Sequence, residues 1–200
     1  MPITTLDPRT ALVLIDLQRG ISALVGEEVL TPVVGAAAEL AGAFRAAALP
    51  VVLVRIDFSA DWADAPRNRT AVQRASARPP ADWADVMPEL GPQPTDLVVT
   101  KRQPGAFYGT DLDLQLRRRG VTGIVLGGVA TSLGVESTAR AAYDHGYNIT
   151  FASDAMADLN PRAHEHSLNV IFPIFGEVAT TAEVATALKS VTPAGSAATP

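Results

Sequence analysis

The sequence predicts a three-layer α/β/α domain built on a doubly wound, six-stranded parallel sheet. Three observations carry this expectation. Short β-branched apolar runs alternate with longer alanine-rich stretches, the pattern of βαβ units. Several runs are apolar throughout, without the period-2 alternation of a half-exposed strand, as parallel strands covered on both faces require. The run Gly123–Gly128 passes through a tight turn directly into a helix-like segment, a Rossmann-like layout that places backbone N–H groups at the mouth of a site.

In chain order, strands are expected at Ala11–Asp16, Val51–Ile56, Asp96–Thr100, Gly123–Gly128, Asn148–Ala152 and Glu177–Thr180. Helices are expected near Pro32–Ala48, Leu112–Arg119, Val135–His145, Pro161–Ile171 and Thr181–Lys189. Pro32 and Pro161 read as first-turn prolines, and Gly120 and Gly146 as helix stops. Residues 1–189 form one domain in this reading, with no internal repeat, and the small-residue tail 190–200 is expected to be disordered. The segment Asp57–Gln93 is rich in Pro, Asp, Arg and Trp. A connection this long in a compact domain reads as a functional lid or an interface element.

The 200 residues, 48% of them hydrophobic, can bury a sizeable core. A net charge of -5 argues against nucleic acid as a partner, because phosphate neutralisation needs a basic face. No uninterrupted apolar run approaches the roughly 20 residues that cross a bilayer, and the N-terminus lacks a secretory signal pattern, so the cytoplasm is the expected compartment. The chain has no cysteine, which removes disulfides and thiolate chemistry.

In open parallel sheets ligands bind beyond the carboxyl ends of the strands. Asp16 ends the first strand, Lys101 follows the third, and Gly134 follows the fourth within Leu126-Gly127-Gly128-Val129-Ala130-Thr131-Ser132-Leu133-Gly134-Val135-Glu136-Ser137-Thr138-Ala139-Arg140. That segment resembles the active-site segment of the isochorismatase-like hydrolases, also called the cysteine hydrolases. The resemblance extends from about Thr10 to Leu188. It takes in the Asp16 strand, Lys101 with Phe107-Tyr108-Gly109-Thr110-Asp111-Leu112, Ser153-Asp154-Ala155-Met156-Ala157 and Phe175-Gly176-Glu177-Val178. It implies a catalytic Asp–Lys–Cys set, of which Asp16 and Lys101 match two members while Gly134 stands in the cysteine's place.

Glycine has no side chain, so covalent catalysis at 134 is excluded. Thr131 and Ser132 are the nearest hydroxyls and read as helix caps rather than nucleophiles. A branch of the family without the cysteine hydrolyses a vinyl ether, with the aspartate protonating carbon and water completing the reaction. The set Asp16, Lys101 and Gly134 resembles that branch. A neighbouring Lys⁺ lowers a carboxyl pKa, so burial must outweigh Lys101 if Asp16 is to act as an acid at neutral pH.

The resemblance further implies a non-proline cis peptide at Val129–Ala130, with the amides of Ala130 and Gly134 as an anion pocket. Gln18, Arg102, Phe107 and Tyr108 join Val129 and Ala130 as candidate substrate contacts. Arg67, Arg69, Arg74 and Arg78, flanked by Trp62 and Trp83, could bind carboxylates from the lid. No metal or other cofactor is expected: His145, His164 and His166 read as structural, and His164 and His166 are two apart and cannot face one site together. The expected partner is a small anionic substrate, with no nucleic acid and no membrane, in a homodimer or homotetramer. The other readings are a non-catalytic ligand-binding or subunit protein on the same fold, and an amide hydrolase using an activated water.

Overall fold

The computed structural model describes residues 3–22, 24–71 and 80–191. Arg74, Arg78 and most of the 190–200 tail lie outside the described residues. Six parallel strands form one sheet: β1 (Thr10–Ile15), β2 (Val51–Ile56), β3 (Leu97–Lys101), β4 (Gly123–Val129), β5 (Asn148–Ala157) and β6 (Glu177–Ala179). Their spatial order is β3-β2-β1-β4-β5-β6. The chain winds outward from β1 to β3, then returns to the centre and winds the other way from β4, so the switch point lies between β1 and β4.

Every residue of β1 is buried because helices cover both faces. Leu12 and Leu14 point into one core with α2 (Glu27–Ala46) and α7 (Thr181–Leu188). Ala11, Val13 and Ile15 point into the other with α3 (Leu112–Arg118), α4 (Glu136–Asp144) and α6 (Phe172–Phe175). Two short helices complete the set, α1 (Arg19–Ser22) and α5 (Pro161–His166).

Helix α2 begins five residues before Pro32, which therefore sits inside the helix and not in its first turn. The cost of the missing N–H is offset by seven buried side chains from Leu30 to Phe44, each large one contributing about 1.5–3 kcal/mol. This 20-residue helix has the length and mean hydropathy, 1.3, to cross a bilayer, but it carries charged residues and lays its apolar stripe on the sheet.

β5 runs five residues further than expected, through Ser153 and Asp154. Those polar groups are satisfied at the sheet edge, Ser153 Oγ donating to the Ala179 carbonyl and Asp154 accepting from the Thr181 N–H that opens α7. The expected helix Pro161–Ile171 is interrupted: a π-helical turn, Ser167–Ile171, separates α5 from α6. The long connection after β2 is anchored rather than free. An antiparallel bridge pairs Gln18 with Val86, and Leu90 is buried under Arg45, which forms a two-pronged ion pair with Asp96.

Candidate active site at the strand switch point

Asp16 leaves β1 with a φ of 51°, a left-handed conformation that Asp tolerates better than most residues. Its backbone N–H donates to the Val54 carbonyl, which keeps the residue at the sheet's carboxyl end. On its other side, register pairs Ile15 with Gly128. Gly128 has a φ of 123°, and a Cβ there would lie 2.1 Å from the Ile15 carbonyl oxygen, so only glycine lets β4 close on β1 at this point.

Lys101 ends β3, opposite Ile56 of β2. Its side chain reaches past β2, and Nζ donates to Asp16 Oδ2 at 2.7 Å and to the Pro104 carbonyl at 2.8 Å. Both partners are withdrawn from water, with side-chain exposures of 1% for Lys101 and 8% for Asp16. Asp16 Oδ1 is buried and has no hydrogen-bond partner among the described residues. Burial pushes the Asp16 carboxyl up to about 6, and the attraction and hydrogen bond of Lys101 only partly oppose it.

The Val129–Ala130 peptide is cis, and the chain then enters a π-helical turn, Thr131–Val135, closed by Val135 N–H donating to the Ala130 carbonyl. Such turns recur at functional sites. Gly134 lies inside it. A Cβ on Gly134 would stand 3.4 Å from Asp16 Oδ2 and 3.0 Å from Ile15 Cγ2. The turn thus presents this position directly to the Asp16 carboxyl. Buried Thr138 holds it from behind, donating to the Gly134 carbonyl at 2.7 Å and accepting from the Ala106 N–H.

The structure brings Asp16, Lys101, Val129, Ala130 and Gly134 to one place and assigns the other candidates elsewhere. Gln18 is wholly buried, and its amide is spent on backbone: Nε2 donates to the carbonyls of Ile56 and Trp83, and Oε1 accepts from the Ile56 N–H. It ties the long connection to the strand ends instead of offering an amide to a ligand. Arg102 forms an ion pair with Asp64 of the same connection. Phe107 packs in the core against the rings of His145 and Tyr147, and Tyr108 is 82% exposed. Arg67 and Arg69 are exposed. Trp62 and Trp83 are half-buried, and both pack on Phe58.

Thr131 and Ser132 do not cap a helix. The turn's entry residue is Ala130 with no side-chain cap, and the two hydroxyls donate to the end of β5 and the residue after it, Thr131 to the Ala157 carbonyl and Ser132 to Asp158. Sequence reasoning missed Asp158, His164 and Thr138 as the partners that fix this turn. Among the described residues no three His, Cys, Asp or Glu side chains gather in a way that could hold a metal ion.

A model of the isochorismatase domain matches residues 10–183. The chain belongs to the isochorismatase family. It is 49% identical over 177 residues to the isochorismatase family protein YwoC of Bacillus subtilis, covering 88% of this chain and 92% of YwoC. A solved isochorismatase family protein from Burkholderia thailandensis superposes with a TM-score of 0.89 at 50% identity, covering 94% of this chain and 99% of that one. The ureidoacrylate amidohydrolase RutB of Methylorubrum extorquens is 32% identical over 207 residues, covering 90% of this chain and 83% of RutB. The family is one of hydrolases, and its doubly wound sheet is the sheet described above.

Proposed function

We propose that this isochorismatase family member is a metal-independent hydrolase that cleaves the vinyl ether of a small enolpyruvyl-bearing anion such as isochorismate, with Asp16 as general acid. The observation that carries the reading is the Asp16 carboxyl itself. One oxygen is held by Lys101, the other is buried without a partner among the described residues, and the pKa is raised to about 6. The carboxyl therefore retains its proton close to neutral pH.

The chemistry balances with the groups present. The protonated Asp16 carboxyl gives its proton to the terminal methylene carbon of the enolpyruvyl group, forming a C–H bond and leaving an oxocarbenium carbon. Water adds to that carbon and returns a proton to the Asp16 carboxylate. The resulting hemiketal breaks its C–O bond, releasing pyruvate and the alcohol. Lys101 holds the carboxyl and balances its charge once the proton has left. The amides of Ala130 and Gly134 receive the substrate carboxylate, beside Val129.

Amide hydrolysis of the kind named for RutB is disfavoured, because Gly134 supplies no nucleophile where the cysteine hydrolases have one. A purely structural ion pair is disfavoured, because Asp16 Oδ1 has no hydrogen-bond partner among the described residues. The test is isochorismate turnover by the purified chain beside Asp16→Asn and Lys101→Met. Turnover lost in Asp16→Asn supports the acid role, and a wild-type chain that leaves isochorismate intact refutes it.

A further inference from the structure

Thr131, the first residue of the π-helical turn, is fully buried, and its hydroxyl lies between a group from the last residue of β5 and one from α5. Oγ1 is 3.1 Å from the Ala157 carbonyl oxygen and 2.8 Å from His164 Nδ1. A hydroxyl carries one proton and a carbonyl can only accept. The Thr131 proton therefore goes to Ala157, and His164 Nδ1 must be the donor to Thr131. This assigns the tautomer: neutral His164 carries its hydrogen on Nδ1 and a lone pair on Nε2. Burial holds the His164 pKa below its ordinary value, which favours that neutral form.

The same geometry removes Thr131 as a substitute nucleophile, because no base receives its proton. Ser132 is restrained from the same side. Its N–H and its hydroxyl both donate to Asp158 Oδ2 at 2.7 Å, and Asp158 Oδ1 accepts from the Asn160 N–H. Four hydrogen bonds thus tie the first two residues of the turn to the Ala157–His164 segment, in addition to the Thr138 bond to Gly134.

We propose that His164 is a positioning residue for the active-site turn: through its Nδ1–H bond to Thr131 it fixes the Ala130 and Gly134 amides that receive the substrate carboxylate. The inference rests on the anion-pocket reading of those amides. It names a role for a residue that contacts neither the Asp16 carboxyl nor Lys101.

The experiment compares wild type with His164→Ala, Thr131→Val and His164→Asn, whose side-chain amide restores an N–H near the Nδ1 position. Amide hydrogen exchange of residues 130–134 is read by NMR, with β4 amides as the internal reference. Isochorismate kinetics are run in parallel. Exchange in the turn is expected to rise about tenfold in His164→Ala and Thr131→Val, with β4 unchanged and His164→Asn close to wild type. KM is expected to rise about tenfold in the two damaging variants with little change in kcat. Turn exchange at the wild-type rate in His164→Ala, an equal rise in β4, or a His164→Asn variant that behaves like His164→Ala overturns the proposal. A wild-type chain inactive on isochorismate would refute the vinyl-ether reaction, and the exchange pattern would still decide the role of His164.

Discussion

Lys101 Nζ lies 2.7 Å from Asp16 Oδ2 although the two residues leave strands that are not neighbours, β2 standing between β1 and β3. From β3 the four-carbon stem spans the gap and delivers the ammonium to one oxygen only. The pair is buried, so its Coulomb attraction is weakly screened, and the desolvation of Asp16 still prevails.

The first prediction concerns pH and activity. A general acid must be protonated, so kcat/KM for the vinyl-ether substrate should be flat at low pH. It should fall tenfold per pH unit above about 6, the value to which burial raises Asp16. A pH profile of kcat/KM checks this, and a limb near the ordinary carboxylate value of 3.8 would contradict it.

The second concerns pH and stability. Asp16 has a folded pKa of about 6 against 3.8 unfolded, so between these values the folded state binds more protons than the unfolded state. The Asp16 contribution to stability therefore falls as pH rises through that window, reaching a cost of roughly 3 kcal/mol above it. Urea denaturation from pH 4 to pH 7 should show a decline in wild type that is absent in Asp16→Asn.

The third concerns the pair as a unit. Lys101→Met leaves a buried carboxyl without its partner, and Asp16→Asn leaves a buried ammonium without its counter-charge. Each single change should destabilise the chain, by about 3–5 kcal/mol where the remaining charge stays uncompensated. The double variant Asp16→Asn/Lys101→Met removes both charges and should recover most of that loss while remaining inactive. Chemical denaturation of the four proteins gives the coupling energy directly.

The fourth concerns Gly134. Its Cβ position stands 3.4 Å from Asp16 Oδ2 and 3.0 Å from Ile15 Cγ2, so Gly134→Cys asks Ile15 to yield by a few tenths of an ångström. The variant should fold, present a thiol to Asp16 and Lys101, and lose vinyl-ether turnover because the new side chain occupies the space beside the acid. Thiol labelling and isochorismate turnover on one sample check both halves.

The positions of Asp16 and Gly134 were legible in the sequence because strands buried on both faces read as unbroken apolar runs, and residues after their ends must then fall at the sheet's carboxyl edge. Lys101 was legible from the short apolar run of the half-exposed edge strand β3. Gln18 sits at that edge too, but whether its amide faces a ligand or backbone depends on Trp83, 65 residues later. Thr131 and Ser132 carry the residue types of helix caps. Their true partners lie 26 to 33 residues on, at a distance no local pattern encodes. Pro32 looked like a helix start because proline favours first turns, and the buried stripe of α2 overrode that preference. The extension of β5 was hidden because Ser153 and Asp154 are satisfied by β6 and α7, elements the strand had yet to meet.

The most direct test of the account is isochorismate hydrolysis in D₂O with the pyruvate methyl group read by NMR at early times. Carbon protonation by Asp16, whose proton exchanges with solvent, predicts one deuterium in the methyl group of each pyruvate formed by wild type, and no product above background from Asp16→Asn. Equal turnover by Asp16→Asn would contradict it.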